Sequence, residues 1–326
     1  MLPPLPNVED ILDRLHVVAL PMRVTFRGIT VRELALFDGP AGWGEFGAFP
    51  EYDAPEAAHW LAAALESAYH QPPPVRRDRI PINATVPAVD ADRVPEVLAR
   101  FPGARTAKVK VAEPGQTLAD DVTRVEAVRA LIPTVRVDAN GGWTVDQAVA
   151  ATRALTDTGA LEYLEQPCAT VAELAALRRR IDTPVAADES IRKADDPLAV
   201  AKAGAADIAV LKVAPLGGIS ALLKIAGQIG IPVVVSSAID SAVGIAAGLQ
   251  AAAALPTLQY ACGLGTGSLF VEDVTDPAET PPQTDGYLPV QPVTPDLARL
   301  HALAAPTDRR QWWIDRIKAC YLLLPR

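Results

Sequence analysis

Five ionisable residues, Lys110, Asp138, Glu165, Asp188 and Lys212, recur through the middle of this 326-residue chain at gaps of 28, 27, 23 and 24 residues. Four of them end a short run rich in apolar residues: VRVD at Asp138, LEYLE at Glu165, PVAAD at Asp188 and DIAVLK at Lys212. Lys110 stands in KVKV at 108–111. Charges belong at the ends of buried strands only where those ends meet. Three carboxylates gathered in a partly enclosed place repel one another unless a cation holds them. Hard oxygen ligands with room left for water and substrate suit Mg²⁺, or Mn²⁺ in its place. A lysine at the rim of a buried strand, near another lysine and a metal, loses basicity and becomes usable as a proton acceptor. Lys108 shares a strand face with Lys110, and their repulsion favours a neutral amine on one of them. Together these groups are equipment for removing a proton beside a carboxylate and holding the resulting enediolate. Taken singly, each acid reads as a helix cap or a surface charge; three at matched strand ends argue against that.

The intervals are about the length of one strand with its returning helix. From Ile80 the chain alternates accordingly. INATV precedes a helix around 91–100, AKVKV one around 118–131, and VRVDAN one over 144–157. LEYLEQ leads to 171–180, VAAD to 195–203 and IAVLKV to 218–229. VVVSS precedes an Ala-rich helix near 241–254, and a last short strand falls near 258–261. Seven strand–helix units and a closing strand predict an α/β fold, a (β/α)7β TIM-like barrel over 79–270, with its active site at the C-terminal mouth of the strands. An open doubly wound sheet is the alternative; it would cluster reactive groups at one switch point instead of repeating them strand after strand.

Residues 1–78 read differently. VTFRGITVRELALFD alternates as antiparallel strands do, and 55–69 forms an amphipathic helix with Pro55 near its start. An α+β capping domain is expected there, bounded by QPPPVRRDR at 71–79. The tail 271–326 is rich in Pro and Thr to about 297; it ends in a helix near 308–320 expected to pack back on the cap.

A formal charge of −9 argues against nucleic acid as partner, because phosphate binding needs a basic face. The apolar stretch from Ala242 to Leu255 is shorter than the ~20 residues that span a bilayer, so no membrane is expected. Cys168, Cys262 and Cys320 are odd in number and widely spaced, which suggests free thiols. With no signal peptide apparent in MLPPLPNVED, the expected location is cytoplasmic. GLGTGS at 263–268 lacks the lysine of a phosphate loop. The four histidines, at 16, 59, 70 and 301, fall outside the barrel strands, and Trp312-Trp313 reads as packing.

Taken together, the motifs resemble the enolase superfamily in its muconate-lactonizing subgroup. Lys108-Val109-Lys110, Arg136-Val137-Asp138-Ala139-Asn140, Glu165-Gln166-Pro167, Asp188-Glu189-Ser190 and Lys212 match that signature in order and spacing, and GWGEFGAFPEY at 42–52 looks like the mobile loop of its capping domain. The resemblance implies that Asp138, Glu165 and Asp188 bind Mg²⁺ and that Lys110 is the general base. Lys108 would orient Lys110 or the substrate carboxylate, and Asn140, Glu189 and Arg136 would support the ligands. Lys212 would be an acid/base in racemases, or a cation against the substrate ring in dehydratases. Dipeptide epimerases of the subgroup carry an Asp-x-Asp pair that QYACGLGTGS (259–268) lacks. The short cap and Arg136-x-Asp138-x-Asn140 resemble the compact dehydratases, hydro-lyases of menaquinone biosynthesis acting on a cyclohexadiene carboxylate. Racemisation of N-succinylamino acids and cycloisomerisation are alternatives in the same subgroup; a Schiff-base lyase and a non-catalytic barrel are alternatives outside it. Ser236, Ser237, Gly263 and Leu264, at the later strand ends, are expected to contact the substrate side chain. The expected partner is a small carboxylate; oligomeric state is left open.

Overall fold

Alternating apolar residues with turn-forming Gly between them set the first layer of the fold. A computed structural model describes residues 5–26, 28–194, 196–278 and 282–325. Met1–Pro4 of the N-terminal stretch, and Asp195 at the start of an expected helix, lie outside the described residues. A short helix α1 (Val8–Asp13) is capped by Asn7, whose side chain accepts from the Glu9 amide. The strands β1 (His16–Phe26), β2 (Ile29–Gly39) and β3 (Gly42–Phe46) form an antiparallel sheet with β2 central. Their register is interrupted between Pro21 and Phe26; Pro21 has no amide to give the ladder. Helix α2 (Ala54–Tyr69), capped by Asp53, lies flat on this sheet. It can do so because a Cβ on Gly44 would stand 2.2 Å from the Ala64 carbonyl oxygen.

The strand β4 (Arg79–Pro81) pairs with β12 (Tyr287–Pro289) and leads into the barrel. There β5 (Ala84–Val86), β6 (Thr106–Lys110), β7 (Thr134–Asp138), β8 (Leu164–Glu165), β9 (Val185–Ala187), β10 (Ile208–Leu211) and β11 (Val233–Val235) run parallel in sequence order. Between them lie α3 (Val94–Leu98), α4 (Leu118–Arg129), α5 (Val145–Thr156), α6 (Val171–Arg178), α7 (Glu189–Arg192), α8 (Ala199–Lys202), α9 (Val213–Leu216) and α10 (Ile219–Gln228), with α11 (Ala242–Ala254) after β11. Thr117, Thr144 and Thr170 each close a capping box at the start of α4, α5 and α6, which fixes where the loops at the barrel mouth end.

Closure comes at Cys262 and Gly263, not at the expected 258–261. The Gly263 amide donates to Val235 O at 2.9 Å and the Cys262 amide to Pro81 O at 2.7 Å. Glycine fits this seam because a Cβ at 263 would meet Ser236 Oγ at 2.4 Å. The apolar LQYA run that suggested a strand instead brings Tyr260 edge-on against Tyr163, ring centroids 6.1 Å apart. The helix expected at 195–203 is shorter, with α8 confined to Ala199–Lys202.

The tail returns to the cap. It forms α12 (Leu297–Ala302), unforeseen in the Pro/Thr-rich stretch and capped by Asp296, then α13 (Thr307–Tyr321). Leu303 O accepts from Ala19 N and Val17 O from Ala305 N, both at 2.8 Å. Trp313 is fully buried against Phe46. One apolar core runs through cap, tail and the first barrel strands. Among the described residues no helix is long and apolar enough to cross a membrane. Cys168, Cys262 and Cys320 are free and buried.

Candidate active site

The register of the barrel sets three charges at one height. Lys110 on β6 lies opposite Asp138 on β7, and Asp138 lies opposite Glu165 on β8. Glu165 pairs with Ala186, so Asp188 follows two residues later on the same face of the next strand. Lys110 Nζ donates to Asp138 Oδ2 at 2.5 Å and to Asn140 Oδ1 at 2.6 Å. Lys108 Nζ donates to Glu165 Oε1 at 2.7 Å and lies 3.5 Å from Asp138 Oδ2. Lys212 Nζ, at the end of β10, donates to Asp188 Oδ2 at 2.6 Å. All six of these lysine and acid side chains are buried.

Backbone strain gathers at the same strand ends. Asn140 and Gln166 stand at φ +46° and +37°, a region that non-glycine residues rarely occupy. Asn140 is held there by a bond from its amide to Asp138 Oδ1 at 3.0 Å. Gln166 Oε1 accepts from the Asp188 and Ser190 amides at 3.0 and 3.2 Å, locking the backbone from which Asp188 projects.

The two lysines of β6 differ in proton affinity despite their common face. Burial lowers the affinity of Lys110, and the Lys108 charge lowers it further, against the opposing pull of Asp138. Burial acts the same way on Lys108, but Glu165 and Asp138 outweigh it and hold that amine above the lysine range. Burial favours neutral Asp138, yet Lys110 and Lys108 keep it well below the carboxylate range. Asp188 is likewise held down, to about 2, because Lys212 and Arg192 outweigh its burial. Glu165 is pushed up to about 7 by burial and by its carboxylate neighbours, against Lys108. Of the two neighbouring amines, Lys110 holds its proton less tightly.

Lys108, Lys110, Asp138, Asn140, Lys212, Ser236, Ser237 and Gly263 line one narrow cleft. Glu165 and Asp188 lie outside its lining, engaged by Lys108 and Lys212. Arg136 sits deeper, donating to Glu162, the Tyr163 hydroxyl and Ala261 O. Leu264 is a correction: it is buried in the core, its side chain at the space a Cβ on Gly248 of α11 would fill. Gly263 lines the cleft, and successive side chains of a strand point to opposite faces, so Leu264 is turned into the core. Ser237 Oγ is taken up by Gly263 O and Thr266 Oγ1, both at 2.8 Å.

Sequence reasoning gave no role to Phe26, Thr85, Ile239 or Thr266, which also line the cleft. Phe26 brings a cap side chain over the site, its ring 5.3 Å from Lys110 Nζ. It also missed Arg192, which donates to Asp188 Oδ1 at 3.1 Å. The adjacent signal was DESIR, an arginine one helical turn after the acid.

Three hard carboxylates on successive strands are the donor set of a divalent cation such as Mg²⁺. Glu165 Oε2 is buried without a hydrogen-bond partner, as a ligand atom held ready would be. Among the described residues no three acids, histidines or cysteines close on one point, since each carboxylate is turned toward a lysine.

Residues 92–296 match the enolase C-terminal domain-like family, and residues 17–68 the enolase N-terminal domain-like family. The chain is 75% identical over 326 residues to an o-succinylbenzoate synthase of Mycobacterium marinum, covering 100% of this chain and 99% of that protein. It is 74% identical over 324 residues to one of Mycobacterium tuberculosis, covering 99% and 98%. A muconate lactonizing enzyme from Pseudomonas fluorescens, solved with muconolactone, superposes with a TM-score of 0.75 at 22% identity, covering 90% of this chain and 98% of that one. The Pseudomonas putida muconate lactonizing enzyme gives 0.72 at 22% identity over 89% and 98%.

Proposed function

The chain belongs to the enolase superfamily, and from that membership we propose that it dehydrates 2-succinyl-6-hydroxy-2,4-cyclohexadiene-1-carboxylate to o-succinylbenzoate, a step of menaquinone biosynthesis. It acts as a hydro-lyase; its 74–75% identical relatives are named o-succinylbenzoate synthase. The observation that carries this reading is the pair of lysines, on β6 and β10, lining one cleft while each holds a carboxylate from the strand next to its own.

Enzymes of the superfamily use a divalent metal; here Asp138, Glu165 and Asp188 would hold Mg²⁺ or Mn²⁺. When bound, the ion stabilises the negative charge that develops on the substrate carboxylate. Lys110 removes the proton from the carbon bearing that carboxylate, its proton affinity lowered by burial and by the neighbouring Lys108 charge. Lys212, an ammonium at the end of β10, lies against the electron-rich ring and balances its growing charge. The ammonium of Lys110 then returns its proton to the departing hydroxyl on the same face. One C–H and one C–O bond break, water leaves and the ring becomes aromatic. Ser236 and the seam at Gly263 face the succinyl chain. The reading divides the chain into a cap at 1–78, a catalytic barrel at 79–270 and a tail at 271–326. Three buried free thiols support a reducing, cytoplasmic setting.

Lysines on two walls of one cleft also suit a two-base racemase of N-succinylamino acids. One experiment separates the readings: offer the Mg²⁺-loaded protein the cyclohexadiene carboxylate and, separately, an N-succinylamino acid in D₂O. Rapid loss of diene absorbance supports the dehydratase. Exchange and inversion at the α-carbon with the diene left intact would replace it with the racemase.

A further inference from the structure

Arg192, at the end of α7, joins groups that are otherwise far apart. Its Nε donates to Asp188 Oδ1 at 3.1 Å, Nη2 to Glu189 Oε1 at 2.8 Å, and Nη1 to the hydroxyl of Tyr52 at 3.1 Å. Glu189 Oε1 also accepts from Asn140 Nδ2 at 3.1 Å, and Asn140 Oδ1 accepts from Lys110 Nζ at 2.6 Å. Asp188 Oδ2 accepts from Lys212 Nζ at 2.6 Å. One guanidinium is thus connected to Lys110 and Lys212 of the cleft and to a tyrosine of the cap.

The cap end of this chain is firmly seated. Tyr52 is 6% and Arg192 7% exposed. Lys193 lies 4.4 Å over the Tyr52 ring and 3.7 Å from Glu56 at the start of α2. From the tail, Arg316 donates to Phe49 O and Tyr52 O, both at 2.8 Å, and so holds the loop that carries the tyrosine. A planar guanidinium presents its donors in a rigid fork, so it fixes the rotation of each carboxylate it engages, which a lysine ammonium does not.

We propose that Arg192 is a positioning residue: seated on Tyr52 of the capping loop, it holds Asp188 by Oδ1 and Glu189 by Oε1, fixes the direction in which Asp188 Oδ2, engaged here by Lys212, is presented to the divalent cation, and ties the docking of the cap to metal affinity and to the placement of Lys110 and Lys212. This rests on the reading of Asp188 as a metal ligand given above.

The test is a Mn²⁺ titration of metal-free full-length enzyme, followed by electron paramagnetic resonance without substrate, on wild type, Tyr52→Phe, Arg192→Lys and the double variant. Losing a group that orients a metal ligand weakens binding by about 10-fold or more, the effect expected for Arg192→Lys. Tyr52→Phe should weaken it about 3-fold, and should add little on top of Arg192→Lys, because the two act through one contact. The corresponding kcat falls while substrate KM stays within about twofold. Tyr52→Phe removes a single oxygen, so it decides the matter even if Arg192→Lys lowers the melting temperature. Mn²⁺ affinities within twofold of wild type, or fully additive losses, would overturn the role of Arg192 alone. A wild-type protein that fails to bind Mn²⁺ would overturn the reading of the carboxylates as well.

Discussion

Two lysines two positions apart, of the same type and on the same strand face, end with opposite tendencies because their partners differ. Lys108 faces two carboxylates and keeps its proton; Lys110 is desolvated beside that charge and gives its proton up more readily. Lys108→Met should therefore do more than perturb rate. It leaves Glu165 buried without its close cation, and removing one member of a buried pair costs about 3–5 kcal/mol. Urea unfolding should show a loss of that order together with a slower enzyme; an unchanged midpoint would show that the pair carries no stability. At this scale the lysines and acids were legible, since a charge that closes a buried apolar run is costly unless a partner meets it there. For Arg192 only the contact with Asp188, one helical turn away, had a local signal; its contact with Tyr52 spans 140 residues and had none. Leu264 was misplaced for a different reason. Side chains alternate along a strand, so the neighbours Gly263 and Leu264 could not both face the cleft.

Among the elements, the longer helices and most strands were readable from period and capping signals, and α4, α5 and α6 start where Thr117, Thr144 and Thr170 cap them. The short helices α1, α7, α9 and α12 were missed. Each spans only four to six residues, too few to show a helical period. The seating of α2 on the cap sheet was also hidden, as it depends on the absence of side chains at Gly39 and Gly44. Gly44→Ala would force a methyl group to within 2.2 Å of the Ala64 carbonyl oxygen, and the helix must shift to admit it. Overpacking of this kind costs about 1–3 kcal/mol. Differential scanning calorimetry should show a lowered melting temperature for Gly44→Ala; a midpoint equal to that of wild type would mean that α2 floats on the sheet.

For the molecule as a whole, the barrel with its cap was legible because the strand–helix period repeats seven times. How the parts lock together was not, because the lock is built from contacts distant in sequence. Glu45 on β3 of the cap accepts from the Ser241 amide at 3.1 Å and the Gly244 amide at 3.3 Å, and from Ser241 Oγ, at the start of α11 of the barrel. Burial, with the charge of Asp240 adding to it, raises this carboxyl from 4.5 to about 8. Between those values the folded chain keeps a proton that the unfolded chain releases, so stability falls as pH rises through the window, by at most about 1.4 kcal/mol per pH unit. Glu45→Gln stays neutral throughout. Its melting temperature should decline less than that of wild type between pH 5 and pH 8; equal slopes would show that Glu45 ionises normally in the fold.

Proton transfer by Lys110 in a metal-dependent dehydration is read from the initial rate of diene loss at saturating Mg²⁺. Wild type should turn over, stop in EDTA and recover when Mg²⁺ is returned, while Lys110→Ala runs roughly 10³-fold slower at the same metal concentration. Turnover by Lys110→Ala at a rate near that of wild type would exclude Lys110 as the base, and wild-type turnover unaffected by EDTA would exclude the metal.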